Sequence, residues 1–135
     1  MRKINEIIVH CTATPAGREV TAAEVDRWHR ARGFERIGYH FLVGLDGTVE
    51  TGRPVEVAGA HCKGRNMTSI GVAYAGGLDA QGRPADTRTP EQRRALIELI
   101  SALLRRFPGA RVHSHRDFAA KACPCFDATT EYSRL

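Results

Sequence analysis

The sequence predicts a mixed α/β (α+β) fold: a central sheet of mixed strand direction with helices packed on it. Three observations carry this expectation. Two short runs, Ile7-Ile8-Val9 and residues 70–74, are apolar in the manner of strands buried on both faces. Two segments open on helix-capping patterns, at Thr21 and at Thr89. Asp46-Gly47 separates an alternating run from a short return run, the signature of a hairpin. Strands and helices follow one another without a strict βαβ rhythm, so the sheet is expected to be mixed rather than purely parallel.

The first element, residues 5–11, is the first buried strand. Residues 12–20 carry Pro15 and Gly17 and read as a loop. Thr21-Ala22-Ala23-Glu24 has the form of a capping box, with Thr21 as N-cap and Glu24 reaching back. The helix behind it places Val25 and Trp28 on one face, sets Arg27, Arg30 and Arg32 on the other, and stops at Gly33. Residues 38–43 alternate, which puts Tyr39, Phe41 and Val43 on one side of a strand. Residues 48–51 form the return strand, 52–69 look irregular, and 76–88 form a polar loop. Thr89-Pro90-Glu91-Gln92 opens the longest helix, with Pro at its first position and Gln92 completing a capping box. Its apolar stripe is Leu96, Leu99, Ile100, Leu103, Leu104 and Phe107, and Pro108-Gly109 ends it. Arg105 and Arg106 suit the negative end of its dipole. Residues 111–114 make a last short strand.

At 135 residues the chain fits one domain, residues 1–135, with no repeat, linker or low-complexity stretch. No apolar run approaches the ~20 residues of a membrane span, and the N-terminus lacks the pattern of a signal peptide. The expectation is a chain that is cytoplasmic at synthesis. Four cysteines, Cys11, Cys62, Cys123 and Cys125, do not form the framework of a secreted disulfide scaffold. A net charge of +5 directs the surface toward polyanions. Basic residues are scattered rather than blocked, and they are not interleaved with aromatics, so no nucleic acid is expected.

The chemistry lies near the C-terminus. His113-Ser114-His115 precedes Lys121-Ala122-Cys123-Pro124-Cys125, and His10 ends the first apolar run far upstream. Two neutral imidazoles and a thiolate are a good donor set for zinc. Three protein donors leave one tetrahedral position for water, the pattern of a catalytic rather than a structural ion. Such a water ionises near neutral pH and attacks a carbonyl, which points to a metal hydrolase. His113 and His115 share a face on an extended strand, so spacing does not choose between them, nor does composition choose between Cys123 and Cys125. Lys121 beside such a site has the charge to stabilise an oxyanion.

Taken together, Val9-His10-Cys11-Thr12, Gly38-Tyr39-His40-Phe41, Gly59-Ala60-His61 with Asn66 and Ser69-Ile70-Gly71-Val72, and His115 with Lys121-Ala122-Cys123-Pro124 and Phe126-Asp127 resemble the zinc-dependent N-acetylmuramoyl-L-alanine amidases. The chain is similar to the short phage lysozyme-type members, which share a fold with peptidoglycan recognition proteins. The motifs run in order from about residue 5 to residue 130. The resemblance implies one Zn2+ per chain held by His10, His115 and Cys123, with Tyr39 and Lys121 catalytic and His61 substrate-binding. It implies hydrolysis of bacterial peptidoglycan between N-acetylmuramic acid and L-alanine; the chain is expected to be a monomer and, without a signal-peptide pattern, to act on the cell wall after release. A member lacking the ligand Cys would be a non-catalytic peptidoglycan-binding module; the presence of Cys123, Tyr39 and Lys121 favours the enzyme. Cys125 departs from the pattern, where a small polar residue is expected.

Overall fold

The structure, a computed structural model, describes residues 2–135. Its strands are β1 (Glu6–Cys11), β2 (Thr14–Pro15), β3 (Phe41–Val43), β4 (Val49–Thr51), β5 (Ser69–Tyr74), β6 (Gly77–Leu78) and β7 (Arg111–Ser114); its α-helices are α1 (Ala22–Ala31), α2 (Pro90–Arg106) and α3 (Ala128–Glu131). The main sheet has the order β4-β3-β5-β1-β7, with β5 in the centre and β1 lying parallel between β5 and β7. β3 runs parallel to β5, while β4 turns back antiparallel through the expected hairpin, so the sheet is mixed as predicted.

Alternation along the strands divides the sheet into two faces. Ile7 and Val9 of β1, Ile70, Val72 and Tyr74 of β5 and Val112 of β7 join one core. Across it α2 lays Leu96, Ile100 and Leu103. Full burial of each such side chain stabilises the fold by about 1.5–3 kcal/mol. The N-terminus of α2 is fixed as predicted: the Thr89 hydroxyl accepts from Gln92 N–H, and the Gln92 amide oxygen accepts from Thr89 N–H. Gln92 is itself buried because its amide donates to the Ala75 carbonyl at 2.9 Å.

The other face carries Leu42, Ala73 and Ala75, packed with Val20, Val25 and Ile37. Here several expectations give way. The first-helix capping box is only half made: Thr21 accepts from Glu24 N–H, but the Glu24 carboxylate turns to Arg18 at 2.6 Å. Trp28 is 36% exposed with the Arg18 guanidinium over its ring, and His29 is buried beside Val25 in its place. His29 is stable there because its Nδ1 accepts from Gly38 N–H at 2.8 Å. The helix ends as predicted at Gly33 (φ +94°), with Phe34 N–H on the His29 carbonyl and Gly33 N–H on the Arg30 carbonyl. Tyr39 does not share a face with Phe41 and Val43. The strand begins only at Phe41, so alternation does not reach Tyr39, which packs with Leu42 on the α1 side. The loops expected at 12–20 and 76–88 meet each other as the parallel pair β2 and β6.

Candidate metal centre

All the parallel strands end toward one edge, where open α/β sheets gather ligands. The register pairs Val9 with Ser114, so His10 and His115 follow side by side at that edge, ring centroids 4.4 Å apart. Cys123 reaches them on the loop after β7. Arg116 N–H donates to the Cys123 carbonyl at 2.8 Å, and the Tyr74 hydroxyl donates to the Pro124 carbonyl at 2.6 Å. One ligand atom from each of His10, His115 and Cys123 lies within 4.8 Å of the others. Among the described residues this is the single grouping of three or more metal-type donors.

The donor set fits a metal by its own chemistry. Nδ1 of His115 is buried and has no hydrogen-bond partner, a loss that a bound cation would make good. Burial first, then neighbouring histidines and Lys121, holds the His10 imidazole well below its ordinary pKa. Burial and then Lys121 lower that of His115. Both shifts favour the neutral ring, the form that binds a metal. The Cys123 thiol is lowered by hydrogen bonding from Cys11, whose backbone N–H lies 3.1 Å from Sγ, and this outweighs burial.

The alternatives left open by spacing separate here. His113 and His115 do not face the same way, because β7 ends at Ser114 and His115 starts a 3-10 turn. His113 sits beside Asp117 at 3.4 Å and borders a separate groove. The Cys125 thiol is pushed up to about 11 by burial and Cys11, and points to the Gly77 carbonyl at 3.4 Å.

A cleft of about 580 Å³ opens over the three donors and is also lined by Tyr39, His61 and Lys121, so every residue to which the family resemblance gives a role borders one space. Tyr39 is half-buried with its ring 5.2 Å from that of His10, and burial raises its phenol above the ordinary range. Lys121 is exposed on the loop before Cys123. His61 is lowered to about 3 by burial and by the charges of His40 and His115. Its Nδ1 lies 2.8 Å from Nε2 of His10. Sequence reasoning missed Arg32, Phe34, Lys63 and Phe118 on the cleft wall. Nothing local to those residues marks them, since they come from three separate places: Arg32 and Phe34 from the end of α1, Lys63 from the segment before β5, and Phe118 from the loop after β7.

The family model for N-acetylmuramoyl-L-alanine amidases matches residues 1–126. The endolysin of Klebsiella phage KP32 is 44% identical over 126 residues, covering 93% of this chain and 83% of that protein. Among solved structures, the N-acetylmuramoyl-L-alanine amidase LysC from Clostridium intestinale superposes with a TM-score of 0.83 at 30% identity, over 96% of this chain and 82% of that one. Drosophila PGRP-LB superposes with a TM-score of 0.82 at 25% identity, over 100% of this chain and 82% of that one.

Proposed function

The chain belongs to the N-acetylmuramoyl-L-alanine amidase family, and from that premise we propose which of its residues perform the reaction. It is an enzyme that cleaves the amide between N-acetylmuramic acid and L-alanine in peptidoglycan. The proposed ion is one zinc per chain, held by His10, His115 and Cys123. The observation that carries this reading is the unpartnered Nδ1 of His115, buried beside a second neutral imidazole and a thiol with lowered pKa. Zinc bound there supplies Lewis acidity to the scissile carbonyl and to the attacking water.

The remaining work falls to the chain's own side chains. As water adds, the carbonyl oxygen gathers negative charge. The Lys121 ammonium, free on the cleft rim, stabilises that charge. The Cys123 thiolate offsets part of the ion's own charge, which leaves more of this stabilisation to Lys121. The Tyr39 phenol is kept protonated by its burial, so it acts as a hydrogen-bond donor to the oxyanion or partner of the water rather than as a base. His29 and Phe34 line one wall of the cleft. The substrate is bacterial peptidoglycan, met after the enzyme is released from the cell interior; no described helix is long and apolar enough to cross a membrane.

Digestion of purified peptidoglycan, with products read by mass spectrometry, tests this reading. The expected result is release of intact stem peptides with free L-alanine amines, abolished by a zinc chelator and restored by zinc. Release that persists after the chain has been stripped of metal would overturn the zinc assignment. New reducing sugar ends without free amines would overturn the bond assignment.

A further inference from the structure

We propose that His61 is a positioning residue for the metal centre: it locks His10 in the tautomer that leaves its Nδ1 lone pair free to bind a metal. The proposal rests on the reading of His10 as a ligand and reassigns His61, which the family resemblance alone makes a substrate contact.

The argument starts at the far end of a hydrogen-bonded chain. The Arg65 carbonyl can only accept, and Ser69 Oγ lies 2.7 Å from it, so the Ser69 proton is committed there. Ser69 Oγ therefore accepts from His61 Nε2–H, at 3.2 Å. A neutral imidazole protonated on Nε2 carries its lone pair on Nδ1. That lone pair accepts from His10 Nε2–H at 2.8 Å. The same rule then leaves the lone pair of His10 on Nδ1. Reversing any link would protonate Nδ1 of His10 and remove it as a donor to metal. A ligating histidine whose other N–H is held in this way is oriented and made more basic.

Two further observations separate this role from substrate binding. Both ring nitrogens of His61 are already committed, so neither remains to hydrogen-bond a sugar or peptide. The ring also occupies a slot shaped for it. A Cβ on Gly71 of β5 would lie 2.7 Å from its Cγ and Cδ2, and one on Gly59 would lie 2.6 Å from its Cδ2. Asn66 Oδ1 accepts the backbone N–H of His61 at 2.9 Å and fixes the loop that delivers the ring.

The test uses the full chain and reads zinc affinity by competition with a chromophoric chelator. His61→Ala is expected to weaken zinc binding by about 10–100-fold. His61→Asn, which can place an amide oxygen near the old Nδ1 position, is expected to recover most of that loss. At saturating zinc the KM of His61→Ala for a soluble muropeptide is expected to match the wild type. An unchanged zinc affinity with a raised KM would overturn the proposal and return His61 to substrate binding. A long-range proton–nitrogen NMR correlation on the wild type needs no variant: His61 protonated on Nδ1 would overturn the proposal, and Nε2 protonation on both His61 and His10 would support it. A wild-type chain that takes up no zinc overturns the ligand assignment itself, a result distinct from an unchanged affinity in the variant.

Discussion

The two faces of the sheet are built by different physics. The face under α2 is mainly a layer of Ile, Val and Leu side chains that need no hydrogen-bond partner, and most of its stability comes from area removed from water. The opposite face is cut by Gly71, carries His10 and borders His29, His40 and His61. There each ring needs a particular partner on a particular nitrogen. One face tolerates any apolar residue of about the right size; the other is specified atom by atom. Damage to the first should appear as lost stability with the chemistry intact, and damage to the second as lost chemistry with the fold intact.

The largest effect expected is at Cys123. Cys123→Ser should lose zinc and with it detectable amidase activity, while its melting temperature matches that of the chelated wild type, since both lack the stabilisation that bound metal adds. Metal analysis and thermal melts check this; one tightly held zinc in Cys123→Ser would break the contrast. In the core under α2, Ile100→Ala should destabilise the chain by about 2–5 kcal/mol, because Ile100 is fully buried there and leaves a cavity. Urea unfolding reads that loss, and zinc affinity below the transition should be unchanged. An equal fall in affinity would mean that the two faces are coupled.

Lys121→Ala sharpens the comparison within the site. Loss of one oxyanion donor typically costs about 10²–10³ in kcat, or roughly 2.7–4 kcal/mol. Zinc content and unfolding midpoint should stay at wild-type values, because Lys121 is exposed and anchors nothing. Full activity in this variant would remove Lys121 from the mechanism.

The division also explains what could be read from the sequence. The apolar face is periodic, so α2 with its cap and stripe, the two buried strands and the mixed sheet were legible. The metal donors were legible as residue types, but the choice of His115 over His113 depended on where β7 ends, which no spacing records. The exchange of Trp28 for His29 was hidden because the bond that makes a buried His29 acceptable comes from Gly38, nine residues away. Alternation extended back past the true start of β3 puts Tyr39 on the wrong side. The pairing of β2 with β6 joins loops about sixty residues apart and left no local pattern. α3 does carry a local signal: Asp127 caps it by accepting from Thr130 N–H.

A pH titration probes the polar face without a site mutation. His40 is fully buried, with Nδ1 accepting from Gly71 N–H and Nε2 2.8 Å from the Val57 carbonyl, and burial lowers its pKa from 6.5 to about 4. A depressed base is neutral in the fold, whereas the unfolded chain protonates it below about 6.5. Stability from this group is therefore whole above pH 6.5 and is lost as pH falls toward 4, with a slope of about 1.4 kcal/mol per unit and a total of roughly 3 kcal/mol. Urea unfolding of the metal-free protein between pH 7.5 and 4 should show this decline, shallower by about one proton in His40→Asn. An identical slope in the variant would mean that His40 does not titrate in this window.

The smallest effect is expected at Cys125, and there the comparison is most exposed to failure. Cys125 lies two residues from the proposed ligand and 4.0 Å from the thiol of Cys11, so proximity alone would make it a rival donor. Its environment argues otherwise: burial keeps it a thiol, it points to the Gly77 carbonyl, and it does not border the cleft. Its backbone is left-handed at φ +72°, a conformation that serine tolerates no better and no worse than cysteine, so the exchange adds no backbone strain. Cys125→Ser should therefore hold one zinc per chain with wild-type affinity, keep full activity and shift stability by less than about 1 kcal/mol. Loss of zinc in this variant would move the ligand from Cys123 to Cys125 and would mean that the donor set was chosen by the wrong thiol.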